Sequence, residues 1–407
     1  MVSLRFLRAN ARLIGFGFAL CFLSSVGQTY FIALFGGEIR AAFGLSHGGF
    51  GTVYMAGTLA SAATLMLLGR LVDVWPPGRT ALLTLGGLAA VAAGMGFVAD
   101  PVTLAAAIFG LRLMGQGMAV HIGVTAMARY FVAERGRALS IASLGQAMGA
   151  ALSPPYVVAL LALVSWREAW WVTAALVLLA LPVAVGLMRG QPAPMSLTGR
   201  GGDNPPVAGH RLGQVLRDPG LWLRLPVLLT PAFLSTGYVF HQVHIAHAKA
   251  WPIELVAASF TAYAIAQVAG LMTAGQLVDR FSARRLVPLF LAPLGLCSVV
   301  LALAEAYWLV PVYLALMGFG SGLGSVIQGA LWAELYGARH LGAIRSFGAA
   351  LMVFSSGLAP MVMGLAFDAG TGIAAVALAG AVWCVLASLV ASLAQRPAGR
   401  GEASALD

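Results

Sequence analysis

An all-α integral membrane protein, with twelve transmembrane helices in two pseudo-symmetric six-helix bundles, is the fold predicted by three observations. Apolar residues make up 60% of the 407-residue chain and charged residues only 9%, against roughly 25% charged in soluble domains. The apolar residues fall in stretches of about 20, the length that crosses a bilayer. The first half of the chain also resembles the second, in order and at nearly constant offset.

Segments are expected at about 13–35, 48–69, 80–99, 102–124, 138–163 and 169–188 in the first half. In the second half they are expected at about 221–246, 254–276, 285–304, 307–329, 343–366 and 372–394. Arg5, Arg8 and Arg12 precede the first run, but no small-residue cleavage site follows, so that run reads as a retained span rather than a signal peptide. The even-numbered connections hold Arg70, Arg79, Arg129, Arg135, Arg137, Arg280, Arg284, Arg285 and Arg339, whereas the odd ones hold only Arg40, Arg167 and Lys249. Positive-inside bias therefore predicts both termini in the cytoplasm of a bacterial-type inner membrane. The expected domains are a bundle over 1–189, a Pro/Gly-rich linker over 190–218, a bundle over 219–395 and a tail over 396–407.

A net charge of +10 need not mean nucleic acid, because the arginines flank apolar segments as topology signals do. Cys21, Cys297 and Cys384 lie inside apolar runs without metal-like spacing and read as free thiols. No phosphate-cradling GxxxxGK[ST] loop and no catalytic constellation occurs, so an enzyme, ATP drive, a cofactor and a bound metal are not expected.

The internal repeat rests on five pairs. "FLSSVG" recurs as "FLSTGY", "TVYMAGT" as "TAYAIAQ", "LMGQG" as "LMGFG", and "SLGQAMGAAL" as "SFGAALMVFS". "GRLVDVWPPGR" from Gly69 to Arg79 recurs as "GQLVDRFSARR" from Gly275 to Arg285. Common order at about 203 to 211 residues marks a parallel repeat about an axis along the membrane normal.

These residues resemble the major facilitator superfamily of secondary transporters. The two Leu-Val-Asp stretches resemble its loop motif between spans 2 and 3 and the copy between spans 8 and 9, and "LRLMGQG" resembles its span 4 arginine motif. The resemblance implies two bundles rocking about a cavity lined by spans 1, 4, 7 and 10. It also implies a cytoplasmic gate built from Gly69, Asp73, Arg79, Gly275, Asp279 and Arg280. In that gate Asp73 and Asp279 face the N-termini of spans 11 and 5 when the carrier opens outward. Two departures stand out: Val74 with Pro76-Pro77 thins the first loop's charge network, and Ser153-Pro154-Pro155 replaces the Gly-Pro of the antiporter motif. "ELYGARHLGAIRS" is similar to members grouped with monocarboxylate and oxalate/formate carriers.

Ionisable groups at membrane depth are costly and are functional candidates by default. Arg112 is the cation nearest mid-depth, suited to a two-pronged match with a carboxylate or to holding helices through carbonyls; both readings stay open. Gln116 follows one turn later on the same face. His241, His244 and His247 wind around one side of span 7. His241 is the candidate for a cavity-facing proton carrier, whereas His244 and His247 are expected to meet water and headgroups. Gln28, Tyr30, Tyr238, Tyr263 and Gln267 are candidate solute ligands, although polar side chains in membranes also join helices at about 0.6 kcal/mol each. Arg345, just inside the cytoplasmic border, could attract an anion into an inward-open cavity, but the expected role is to snorkel to headgroups.

The expected function is alternating-access transport of a small organic solute, an anion such as a carboxylate, with proton coupling as an addition. The solute, protons and the bilayer are the expected partners of a monomer. One alternative is efflux of a neutral or amphipathic compound, using Tyr30, Phe31, Tyr238 and Trp332. The other is a non-transporting receptor or assembly factor of the same fold.

Overall fold

The computed structural model describes residues 4–69, 71–131, 134–191, 209–337 and 340–394. Among these, ten helices are long and apolar enough to cross a membrane. They are His47–Leu68 (span 2), Pro77–Met95 (3), Pro101–Tyr130 (4), Gly136–Leu161 (5), Trp166–Gly186 (6), Pro219–Phe240 (7), Ile253–Phe281 (8), Tyr307–Tyr336 (10), Ala343–Asp368 (11) and Ile373–Leu393 (12). Span 1 is a bent pair, Ala11–Gly27 and Thr29–Phe43, meeting at 44°. The bend falls at Gln28, whose extended backbone (φ −85°, ψ 155°) interrupts the helix after the 3-10 turn Ser24–Gly27. The segment expected at span 9 is helical only at Ala283–Leu286 and Ala292–Leu303, with turns between. Pro288 lies in that gap, and a proline supplies no N–H to a continuing helix.

The buried apolar residues form two clusters, one built from spans 1 to 6 and the other from spans 7 to 12. Lipid, not a third layer, faces the rest: span 12 exposes Val382, Trp383, Val385, Leu386 and Leu389, which a soluble protein would bury. The three cysteines are buried and free.

Each half is tied at the membrane face that carries the chain's ends, called here the near side. Arg12 donates from span 1 to the carbonyls of Gly186 (3.1 Å) and Arg189 (2.6 Å) at the end of span 6. Arg224 donates from span 7 to the Ala394 carbonyl (2.7 Å) at the end of span 12. The end of the inter-bundle segment docks on span 10, through Gly209 paired with Gly337 and His210 N–H donating to the Tyr336 carbonyl at 2.8 Å. Residues 192–208 of the expected linker, residue 395 and the whole expected tail, 396–407, lie outside the described residues.

Close helix crossings depend on glycine. A Cβ on Gly115 of span 4 would stand 2.7 Å from Gly27 Cα, so spans 1 and 4 pack backbone to backbone there. Across that contact span 4 widens into a π-helical stretch, Arg112–Ala119. Gly115→Ala is expected to cost about 1–3 kcal/mol as overpacking. It should therefore lower the thermal midpoint in detergent, while Gly94→Ala, where a Cβ meets nothing within 4 Å, should leave it unchanged or raise it.

Candidate functional site

The halves meet tightly at the far side. Span 2 begins at Ser46, whose hydroxyl accepts from Gly49 N–H at 3.0 Å as its N-cap. Asp368, the last residue of span 11, completes that cap from the other half. Its two carboxylate oxygens accept from the N–H groups of His47 (2.9 Å) and Gly48 (2.8 Å). An anion at a helix N-terminus is favoured by the unpaired N–H groups and the helix dipole. Glycine makes the approach possible, since a Cβ on Gly48 would lie 2.8 Å from Asp368 Oδ2, and one on Gly364 would lie 2.7 Å from Gly48 N. Deeper along the same seam Gly51 rests on the backbone of Pro360 and Met361, and Gly357 on Thr58 and Leu59.

Toward the near side the same two helices part. Met66, Leu67, Arg345, Ser346 and Ala349 are exposed. A cavity of about 490 Å³ opens among spans 7, 8's partner span 10, and span 11, lined by Ser235, Thr236, Ser321, Gln328, Trp332 and Arg345 among others. Arg345, exposed near the start of span 11, lines the cavity, and its guanidinium has no hydrogen bond or ion pair to any described residue. Gln328 Nε2 donates to the Leu228 carbonyl at 3.3 Å, and Thr236 pairs with Ser356 at 3.0 Å. The molecule is sealed on the far side and open on the near side.

Arg112 is 3% exposed. It donates to Gly27 O (3.4 Å) and Thr29 Oγ1 (3.3 Å) and lies over the Tyr54 ring at 5.3 Å; its Nε is unpartnered. Thr29 is in turn 2.7 Å from the Tyr54 hydroxyl. Beside this knot the buried Gln28 amide nitrogen has no partner, and Gln116 is half-buried on the face of span 4 that crosses span 1. Arg112, Gln28 and Gln116 are therefore brought together. The other candidates divide.

Tyr30 bridges the halves, its hydroxyl donating to Ser25 (3.1 Å) and its ring 6.2 Å from Phe260. Gln267 donates to the cavity residue Ser321 at 3.3 Å, and Tyr263 backs onto Gly318 of span 10. Tyr238 points away from the cavity: it is buried, paired with Ser298 of span 9 at 2.9 Å, and packed on Gly380 of span 12. Phe31 belongs to the first half's core against Trp170. His241 does not line the cavity either, because span 7 carries it to the far-side seal, where Nε2 is 2.9 Å from the Pro360 carbonyl. His244, expected in the headgroups, packs there too, 4.0 Å from His47 ring to ring.

Of the near-side loop residues, Asp279 is exposed and has no hydrogen bond or ion pair to any described residue. Arg280 lies over the Phe281 ring and Arg79 over the Trp75 ring. Gly69 offers its carbonyl to His121 at 3.2 Å, and Gly275 faces open space. The Asp73 side chain lies outside the described residues. Two near-side ties escaped the sequence reading: Arg129 donates to the Val72 carbonyl (2.9 Å), and Glu334 accepts from the N–H groups of Ala283 (2.8 Å) and Arg284 (3.0 Å). Both close the loop ahead of the next span from the end of spans 4 and 10, with opposite charge.

The family model described as Major Facilitator Superfamily matches residues 17–245 and 234–406. No curated protein matches the chain in sequence. Among solved structures, a bacterial homolog of the human lysosomal transporter Spinster, inward-facing and occupied, superposes with a TM-score of 0.68 at 15% identity, over 97% of this chain and 98% of that one. Its inward-facing, unoccupied form gives 0.69 at 14% identity, over 95% and 96%. A mutant of the nucleoside transporter NupG gives 0.75 at 12% identity, over 94% and 100%. At these identities the likeness is one of fold.

If the Asp368 carboxylate holds the far side shut, Asp368→Asn should weaken closure by about 1 kcal/mol, an approximately fivefold shift toward far-side opening. Nitroxide labels on Ala99→Cys and Tyr307→Cys, exposed positions on far-side connections of the two halves, would report it as a larger long-distance population in pulsed dipolar spectroscopy.

Proposed function

Since the chain belongs to the Major Facilitator Superfamily, and is thus a multi-pass secondary transporter and not an enzyme, we propose that it carries a small organic anion, such as a carboxylate, by alternating access. The observation that carries this reading is Arg345, an unpaired guanidinium at the wall of a cavity that otherwise offers hydroxyls, an amide and an indole. A guanidinium without a protein partner at a cavity wall favours an anionic, preferably planar and bidentate, ligand. No Asp or Glu is among the cavity's lining residues to attract a cation. Arg112 adds positive potential from the first half, but its contacts to Gly27 and Thr29 make it equally a tie between spans 1 and 4.

The arginine-rich near side corresponds to the cytoplasm of a bacterial-type inner membrane under the positive-inside rule, so the present state is inward-open. The chain works as a monomer on this reading. Asp73 and Asp279 are proposed as the cytoplasmic latch, whose contacts form when the carrier turns outward; that Asp279 has no side-chain partner among the described residues agrees with a released latch. His241 would exchange a coupled proton only when the far-side seal opens, because here its ring is buried.

Uptake into proteoliposomes of a panel of organic acids, neutral metabolites, nucleosides and cations, with and without a pH gradient, tests the proposal. Acids should be carried, and Arg345→Gln should reduce their uptake about tenfold or more, the value of one charge-assisted hydrogen bond. Carriage of neutral compounds or cations alone, or full acid uptake by Arg345→Gln, would refute it. Asp279→Asn should slow turnover by favouring the inward-open state; unchanged labelling of a cysteine on the far side would count against the latch.

A further inference from the structure

The far-side seal contains three imidazoles, and the transport cycle proposed above gives a part to His241 alone. His47 opens span 2 in the first half; in the second, His241 caps the end of span 7 and His244 lies on the short helix that follows it, Gln242–Ala248. Their rings converge across the seam between the halves, His47 lying 4.0 Å from His244 and 5.9 Å from His241, with Phe367 of span 11 against all three. Together with Arg40 of span 1 they surround a void of about 20 Å³, room for roughly one water. The Arg40 guanidinium has no hydrogen bond or ion pair to any described residue.

We propose that this cluster is a proton-sensitive lock on the far-side gate: neutral histidines pack and keep it shut, and protonation from the far side opens it. The charged groups facing His47 are Arg40 from span 1, His241 and His244 from span 7, and Asp368 from span 11, with His247 one turn beyond His244. Asp368 is the single anion among them, and both its oxygens already accept from the span 2 backbone. With the imidazoles neutral, one carboxylate faces one guanidinium. Two imidazolium rings would set three cations against that carboxylate, at ring separations where like charges repel strongly. His241 also has its Nε2 committed to the Pro360 carbonyl, so it anchors span 7 to span 11 while His47 and His244 meet across the seam. Opening separates and hydrates the rings and removes the repulsion.

The sign follows from linkage. The closed seal disfavours bound protons and the open one accepts them, so closure is favoured above histidine's ordinary pKa of about 6.5 and weakens as far-side pH falls below it. The closed-to-open ratio should fall about tenfold per pH unit below that value if one proton is taken up on opening, and about a hundredfold if two are. The lock concerns His47 and His244, which meet across the seam, and it regulates opening whether or not His241 also exchanges a coupled proton.

The test uses the full-length carrier in nanodiscs, labelled at Ala99→Cys and Tyr307→Cys, with pulsed dipolar distances recorded from about pH 7.5 to about pH 5.5, one unit either side of the ordinary histidine value. The wild type should gain the long far-side distance on acidification. His47→Gln and His244→Gln should each flatten that response while remaining predominantly closed. A wild-type distribution unchanged over this range overturns the proposal without any variant. An unaltered response in the His47→Gln/His244→Gln double variant also overturns it, and would assign the titration to the imidazoles that remain, His241 and His247.

Discussion

One carboxylate joins the two halves where they must separate. Asp368 ends a helix of the second bundle and caps a helix of the first, 320 residues away in sequence. Everything on that seam is arranged around its approach. Gly48 and Gly364 leave room for it, Ser46 satisfies the next N–H group, and Gly51 and Gly357 continue the contact inward. The bond is well suited to a gate. A helix-terminus contact is worth on the order of 1 kcal/mol, enough to bias a two-state equilibrium and too little to lock it. A buried ion pair in the same place would carry a desolvation cost that makes opening and closing far less evenly matched.

Arg112 and Arg345 illustrate how the same side chain acquires different duties from its surroundings. Arg112 is enclosed by the break in span 1: the helix stops at Gly27, which frees a carbonyl, and Thr29 begins the next helix with a hydroxyl in reach. The guanidinium satisfies backbone that the bend exposes, and the widened turn of span 4 lets it sit there. Arg345 has no such task. It stands at the wall of the open cavity with all five donors uncommitted to described residues, the condition in which a guanidinium is available to a solute.

Most of the fold could be read from sequence because the bilayer imposes it: apolar length fixes the spans and arginine placement fixes their alternation. The exceptions are local. Pro288 sits in a run too apolar to look like anything but a span, and only the loss of its N–H explains the break. The site was less legible, since hydropathy gives depth but not the direction a side chain faces. Tyr238 and His241 share span 7 with the cavity residues Ser235 and Thr236, yet Tyr238 turns to span 9 and His241 lies too far along the helix. The internal repeat drew attention to the near-side loops, which occur twice. Asp368 has no counterpart in that repeat, and its partner is a helix N-terminus rather than a side chain, so no pattern of residues announces it.

That asymmetry bears on how the carrier can alternate. On the near side the proposed latch would use Asp73 and Asp279, one from each half, and Asp279 has no side-chain partner among the described residues. On the far side one aspartate acts alone and is engaged. If both gates rest on carboxylates meeting helix N-termini, opening one and closing the other exchanges contacts of the same kind, and the states remain close in energy. The single far-side contact is then the weaker term in that exchange. Packing of His47 against His244 adds to it across the same seam, in a form that persists only while the rings are uncharged.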